Sequence, residues 1–231
     1  KKFFKGLMDR IKKIIAAVVR AFSSYEKTLK KLAAKVKDAN DVDPDEAKKK
    51  EINMVPPDSL KALIDAIDKA TQSSSDLSKV ETFIKDTTYL KALGLKVETG
   101  KKDSDTKLVK EENEDLKSKK DTVAGFKLDK KWAEENVKEA IDVVAAMRQI
   151  PKAEKALQAN QQSVETALKS LEKAEGKDKE EIDKMKEEVK QTLAQTRMAV
   201  TVLNASVKAS RTYVSNVITG ANAVISVAKK K

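Results

Sequence analysis

The chain of 231 residues contains no cysteine and no histidine. Thiol nucleophiles, imidazole general bases, Cys/His zinc centres and disulfide frameworks therefore lie outside its chemistry. Glycine and proline are scarce, at six and four residues, and aromatics make up only 4%. All-β folds and nucleotide-binding sheets need turn residues and β-branched runs in greater supply, so a mostly helical protein is expected. No glycine loop is suited to cradling phosphate. Long apolar runs are missing too. The longest uncharged stretch, 212–228, is interrupted by Thr212, Ser215, Asn216, Thr219, Asn222 and Ser226, which argues against a membrane span.

What the chain has in abundance is charge, and the charge is unevenly placed. The formal net value is +11. Residues 1–37 hold twelve Lys and Arg against Asp9 and Glu26, a net of +10, and Lys229, Lys230 and Lys231 add +3. The intervening 38–228 is nearly balanced at −2. The sequence thus reads as a neutral rod with two basic ends.

Residues 3–36 carry two apolar columns with a seven-residue repeat. One is Phe4, Ile11, Val18, Tyr25 and Leu32; the other is Met8, Ile15, Phe22, Leu29 and Val36. Offset by four, they form one face of an amphipathic helix over 1–37, with Lys5, Lys12, Lys13, Arg20, Lys27 and Lys31 mainly off it. The Asn40–Asp45 stretch and Pro56-Pro57 predict a linker over 38–57 with one short turn around 45–51. Residues 58–93 read as a short helical hairpin: an Asp58 or Ser59 cap opens the first helix, a Ser78-x-x-Glu81 capping box the second, and Gly94 supplies the stop. The charged connector 94–128 predicts a surface helix across 106–122 or an ordered loop.

The strongest pattern lies in 129–231. Asp129 is a good N-cap, and Val143, Ile150, Leu157, Val164 and Leu171 recur every seventh residue, with Pro151 predicting a kink or break. After Gly176, Asp178-x-x-Glu181 opens a last helix whose columns include Leu193, Val200, Leu203, Val207, Val214, Val217 and Val224. The expectation is an antiparallel, coiled-coil-like hairpin of roughly 70 Å. Beyond Lys190 the last helix carries only Arg197, Lys208 and Arg211 as charges up to 228. That low-charge half is expected to be buried by the N-terminal helix, by a neighbouring subunit, or by both. The half near Gly176 is expected to project into solvent. The fold class is all-α: an elongated helical bundle with a long C-terminal hairpin and an N-terminal basic amphipathic helix.

Several partners would suit helix 1–37. Lys1, Lys2, Lys5, Lys12, Lys13, Arg20, Lys27, Lys31 and the tail Lys229, Lys230 and Lys231 are the candidate surface for an anionic partner. DNA phosphate needs only such surface cations. A bilayer would be met by Phe3, Phe4 and Met8 ringed by lysine, as in membrane-active helical toxins. The third reading has the apolar stripe packing on the C-terminal hairpin with the lysines solvated. The aromatics are too scattered for base stacking, so any nucleic-acid contact would be sequence-independent. The stripe Leu193, Val200, Leu203, Val207, Val214, Val217 and Val224 is the candidate assembly surface, for copies of the chain, other proteins, or an adaptor's partner helices.

Acidic runs such as Glu111-Glu112-Asn113-Glu114-Asp115 lack calcium-loop spacing and read as solvated faces. Trp132, near a helix start, reads as a core contact. Carboxylates, lysine and tyrosine can catalyse, but no constellation of them stands out. A non-enzymatic structural protein with no cofactor, metal or small-molecule substrate is expected.

The start Lys1-Lys2-Phe3-Phe4-Lys5-Gly6-Leu7, the end Ala223-Val224-Ile225-Ser226-Val227-Ala228-Lys229 and the absence of an initiator Met form a recognisable style. The chain resembles the processed internal structural proteins of large tailed bacteriophage heads. The likeness lies in style, without a diagnostic motif, and carries no residue roles. It implies a precursor trimmed by a prohead protease, a place in the virion inside the capsid or on its inner face, and other virion proteins, copies of itself and DNA as neighbours. The missing Met is expected to mark such processing or a fragment.

Overall fold

A computed structural model describes residues 2–74, 77–101, 106–173 and 178–230. Among them are eight α-helices and four short strands, so the class is all-α. The order is α1 (Lys2–Asp38), α2 (Pro44–Lys49), β1 (Glu51–Met54), α3 (Pro57–Ser74), α4 (Leu77–Ile84), α5 (Thr87–Ala92), β2 (Leu95–Glu98), β3 (Lys107–Lys110), a 3₁₀ turn (Glu114–Leu116), β4 (Lys119–Thr122), α6 (Lys130–Met147), α7 (Ile150–Glu172) and α8 (Lys179–Ser226).

The 48-residue α8 is the axis of the molecule, roughly 70 Å long at 1.5 Å per residue. Its buried face includes Ala199, Val202, Leu203, Tyr213, Val214, Val217 and Ala221. The helix α6 runs antiparallel to it: Ser210 Oγ lies 3.2 Å from the Met147 sulfur, and further along Tyr213 meets Glu139. By contrast α1 runs parallel to α8, with Arg211 on the Ala17 carbonyl and Asn40 on that of Lys229. On another side Asn216 accepts from the Val55 N–H at 2.7 Å just before α3, and Gln195 pairs with Glu81 of α4. A single core therefore runs between α8 and the helices around it. Towards its N-terminus α8 leaves that core and pairs with α7 alone, around a small separate cluster of Val164 and Val189.

The expected break at Pro151 is present. Proline removes one backbone donor and its ring crowds the carbonyl four residues back. The helix α6 accordingly stops at Met147, Arg148 and Gln149 close it with bonds to Ala145 and Ala146, and Pro151 opens α7. Asp129 caps α6 through the Trp132 N–H at 2.7 Å, and Asp178 caps α8 through Glu180. The stop assigned to Gly176 lies outside the described residues.

Several expectations need correction. The stretch 38–57 holds its expected short turn as α2, capped by Asp43, but also contains the strand β1. The second helix expected within 58–93 is broken in two, because Asp86 turns its carboxylate onto the N–H groups of Thr88 and Tyr89 and starts α5 afresh. Ser78 lies inside the first turn of α4, not ahead of it, while Gly94 does end the segment, at φ +67°. The connector 94–128 holds strands in place of the surface helix expected across 106–122. There β2 pairs antiparallel with β3, Leu95 opposite Lys110, and β4 pairs with β1, Thr122 opposite Glu51.

Candidate functional site

From Ile11 onward the apolar columns of α1 turn inward. Ile11, Val18, Phe22, Leu29, Leu32 and Val36 are buried in the main core, and the Phe22 and Tyr25 rings meet edge to face at 5.8 Å. This inward face fixes the opposite one. Lys12, Lys13, Arg20, Lys27, Lys30, Lys31, Lys35 and Lys37 are all exposed. Lys13, Arg20 and Lys27 follow one another at intervals of two turns, about 10 Å. On this ridge Lys30 pairs with Glu26 at 2.8 Å; among the described residues the other seven cations have no ion-pair partner. Glu26 is further engaged by Arg148 from the α6–α7 junction.

The two basic ends of the sequence meet in space. The chain after α1 pairs with the chain after α8: Val42 bridges Ala228, Asp43 N–H donates to Val227 O at 2.8 Å, and Lys229 N–H donates to Asp41 O at 2.9 Å. Asn40 adds a side-chain bond to Lys229 O at 2.8 Å. Lys229 thus lines a shallow cavity together with Lys35 and Asp38, and Lys37 and Lys230, next to them in the chain, are exposed as well. Lys130 reaches the same end, donating to the carbonyls of Ala39 at 2.7 Å and Lys37 at 3.2 Å, where the partial negative charge of a helix C-terminus favours a cation. From Lys12 to the tail the result is a positive strip roughly 40 Å long.

Of the residues expected to carry this surface, Lys12, Lys13, Arg20, Lys27, Lys31, Lys229 and Lys230 lie on the strip. Lys1 and Lys231 fall outside the described residues, as do the side chains of Lys2 and Lys5. Lys35 and Lys37 belong to it through the same helical register. Lys130 joins from a distant helix, which local periodicity could not signal.

The expected assembly stripe has a different place. Val200, Leu203, Val207, Val214, Val217 and Val224 are buried in the chain's own core, and the half-buried Leu193 packs on the Val164–Val189 cluster. The opposite face of α8 is exposed and almost uncharged, with Asn204, Ser215, Thr219 and Asn222.

No known protein family, characterised protein or solved structure matches this chain. Its chemistry is therefore read from the geometry alone. Among the described residues no group of acidic side chains is placed to hold a metal ion, and no helix is long and apolar enough to cross a membrane.

Among the described residues, the one strongly perturbed acid is structural. Tyr213 is fully buried and its hydroxyl donates to Glu139 at 3.1 Å; burial first, and the neighbouring carboxylate second, push the phenol well above its usual value near 10. It stays protonated at neutral pH and is no nucleophile. Because the folded phenol holds its proton more tightly than the unfolded one, its contribution is intact below pH 10 and falls as pH rises above that value. Tyr213→Phe should cost about 1 kcal/mol at pH 7 and flatten this alkaline loss. Urea unfolding at pH 7 and at successive alkaline pH values would test it, and an unchanged alkaline slope in the variant would count against it.

Proposed function

We propose that the protein is a non-enzymatic assembly protein that holds phosphate-bearing polyanion, duplex DNA foremost, along the α1–tail strip without reading sequence. The observation that carries this reading is the division of α1 into a buried apolar stripe and an exposed row of unpaired cations. Each cation set against a phosphate releases condensed counterion, which gives affinity without base contacts. The side chains of Phe3, Phe4 and Met8, the expected insertion edge, lie outside the described residues. Further along α1, Val18, Phe22 and Leu29 are core residues, so insertion of the helix along its length would require it to leave the bundle and expose that core to water. The resemblance to processed internal head proteins of large tailed bacteriophages supports a setting in the virion, beside copies of the chain or other virion proteins and close to packaged DNA.

The test is a salt titration of the full chain on duplex DNA of two unrelated sequences, in parallel with anionic and neutral lipid vesicles. Expected are equal affinities for both duplexes, and log K falling linearly with log salt at a slope of about −0.9 per phosphate engaged. Strong binding to neutral vesicles that persists at high salt would replace this reading with the membrane-active one.

A further inference from the structure

A cavity of about 560 Å³ opens between α8 and the ribbon formed by β2, β3 and the following 3₁₀ turn. Its size falls within the range typical of small-molecule sites, about 300–1,000 Å³. The floor is apolar, built from Leu63, Leu93, Leu95, Leu116, Ala205 and Ala209. The two alanines of α8 keep it open, since larger residues there would fill it.

The roof is fixed by bonds that do not depend on an occupant. Gly94, at φ +67°, lets the chain reverse after α5, and its carbonyl accepts from the Glu111 N–H at 2.9 Å. Asn113 donates to the Lys91 carbonyl at 2.9 Å and accepts from the Asp115 N–H at 3.0 Å. Lys91 and Asp115 close the same corner as an ion pair. The cavity is thereby held open in advance, which lowers the ordering cost of binding.

Charge at the rim selects the class of occupant. Five charged residues line the cavity: Lys110, Lys117 and Lys208 against Glu111 and Glu112. Lys117 is engaged by Glu112 and Glu114, which hold its ammonium charged. Lys110 and Lys208 are exposed and have no ion-pair partner among the described residues. With Glu114 counted the charges around the rim balance, but these two ammonium groups are the ones left unengaged beside the apolar floor. Thr201, Asn204 and Thr212 of α8 supply polar edges without further charge.

We infer that this cavity binds a small amphiphile with one anionic head, its apolar body on the leucine floor and its carboxylate or sulfonate near Lys110 and Lys208. The test uses anilinonaphthalene sulfonate as a fluorescent probe of the full chain, with dodecanoate and dodecanol as competitors. Saturation at one equivalent is expected, with dodecanoate displacing the probe roughly fivefold better than dodecanol. The double variant Lys110→Glu, Lys208→Glu should erase that preference and leave dodecanol binding in place. Ala205→Trp, which fills the cavity, and Leu116→Glu, which puts a charge on its floor from an exposed turn, should each abolish binding with unchanged helical circular dichroism. Probe binding retained in either folded variant, or weak binding at many sites, overturns the assignment, as does no preference for the anionic competitor.

Discussion

Gly220→Val should destabilise the protein by about 3 kcal/mol, the upper part of the range for overpacking a core. A helix interior ordinarily disfavours glycine by about 1 kcal/mol relative to alanine, so an added side chain at an open site would stabilise α8. Gly220 is not an open site. A Cβ built there would lie 2.5 Å from Trp132 Cη2 and 2.8 Å from Cζ3, with Leu128 Cδ1 at 3.5 Å. The indole is a rigid ring packed against the core, so it cannot yield as the tip of a flexible chain would. Gly220→Ala should accordingly be destabilising despite its better helix propensity. Combined with Trp132→Leu, which clears the space, it should be neutral or favourable. Urea unfolding of the four proteins of this cycle gives the coupling directly. A stabilising Gly220→Ala with Trp132 in place would disprove the close approach.

The Trp132–Gly220 contact also shows where sequence reading stops. Trp132 was legible as a core contact at a helix start, but its partner lies on a helix almost ninety residues later. Helical class, the inward columns of α1, the break before Pro151 and the caps at Asp129 and Asp178 all follow from residues within two turns of one another. The strands do not. Glu51–Met54 meets Lys119–Thr122 across nearly seventy residues, and neither four-residue segment carries enough alternation to announce a ladder by itself. The stripe from Val200 to Val224 was read correctly as apolar. An apolar stripe looks the same whether an intramolecular helix or another molecule covers it, and here α1, α3 and α6 supply the cover. For the cationic surface, register exposed the ridge on α1. Its junction with Lys229 and Lys230 depends on the pairing of 41–43 with 227–229, which no local pattern contains.

That junction bears on the largest functional effect expected. Reversing Lys13, Arg20, Lys27 and Lys31 to glutamate should lower affinity for duplex DNA by at least about a hundredfold at low salt and reduce the salt slope by about 3–4. All four side chains are exposed and unpaired among the described residues, so thermal stability should stay close to that of the parent. Net charge must be separated from placement, because lowering +11 by eight weakens attraction to any polyanion. A control with Lys61, Lys69, Lys85 and Lys96 reversed has the same net charge and also alters exposed lysines, on α3, the α4–α5 junction and β2. The surfaces differ in continuity: the first four form a row along one helix that leads to the Lys35–Lys229 corner, and the second four are scattered over three elements. At a Debye length of about 8 Å only cations near the polyanion contribute fully, so the row should matter far more than the scattered set. Equal losses in the two variants would mean that overall charge alone drives binding and that the strip is not a site.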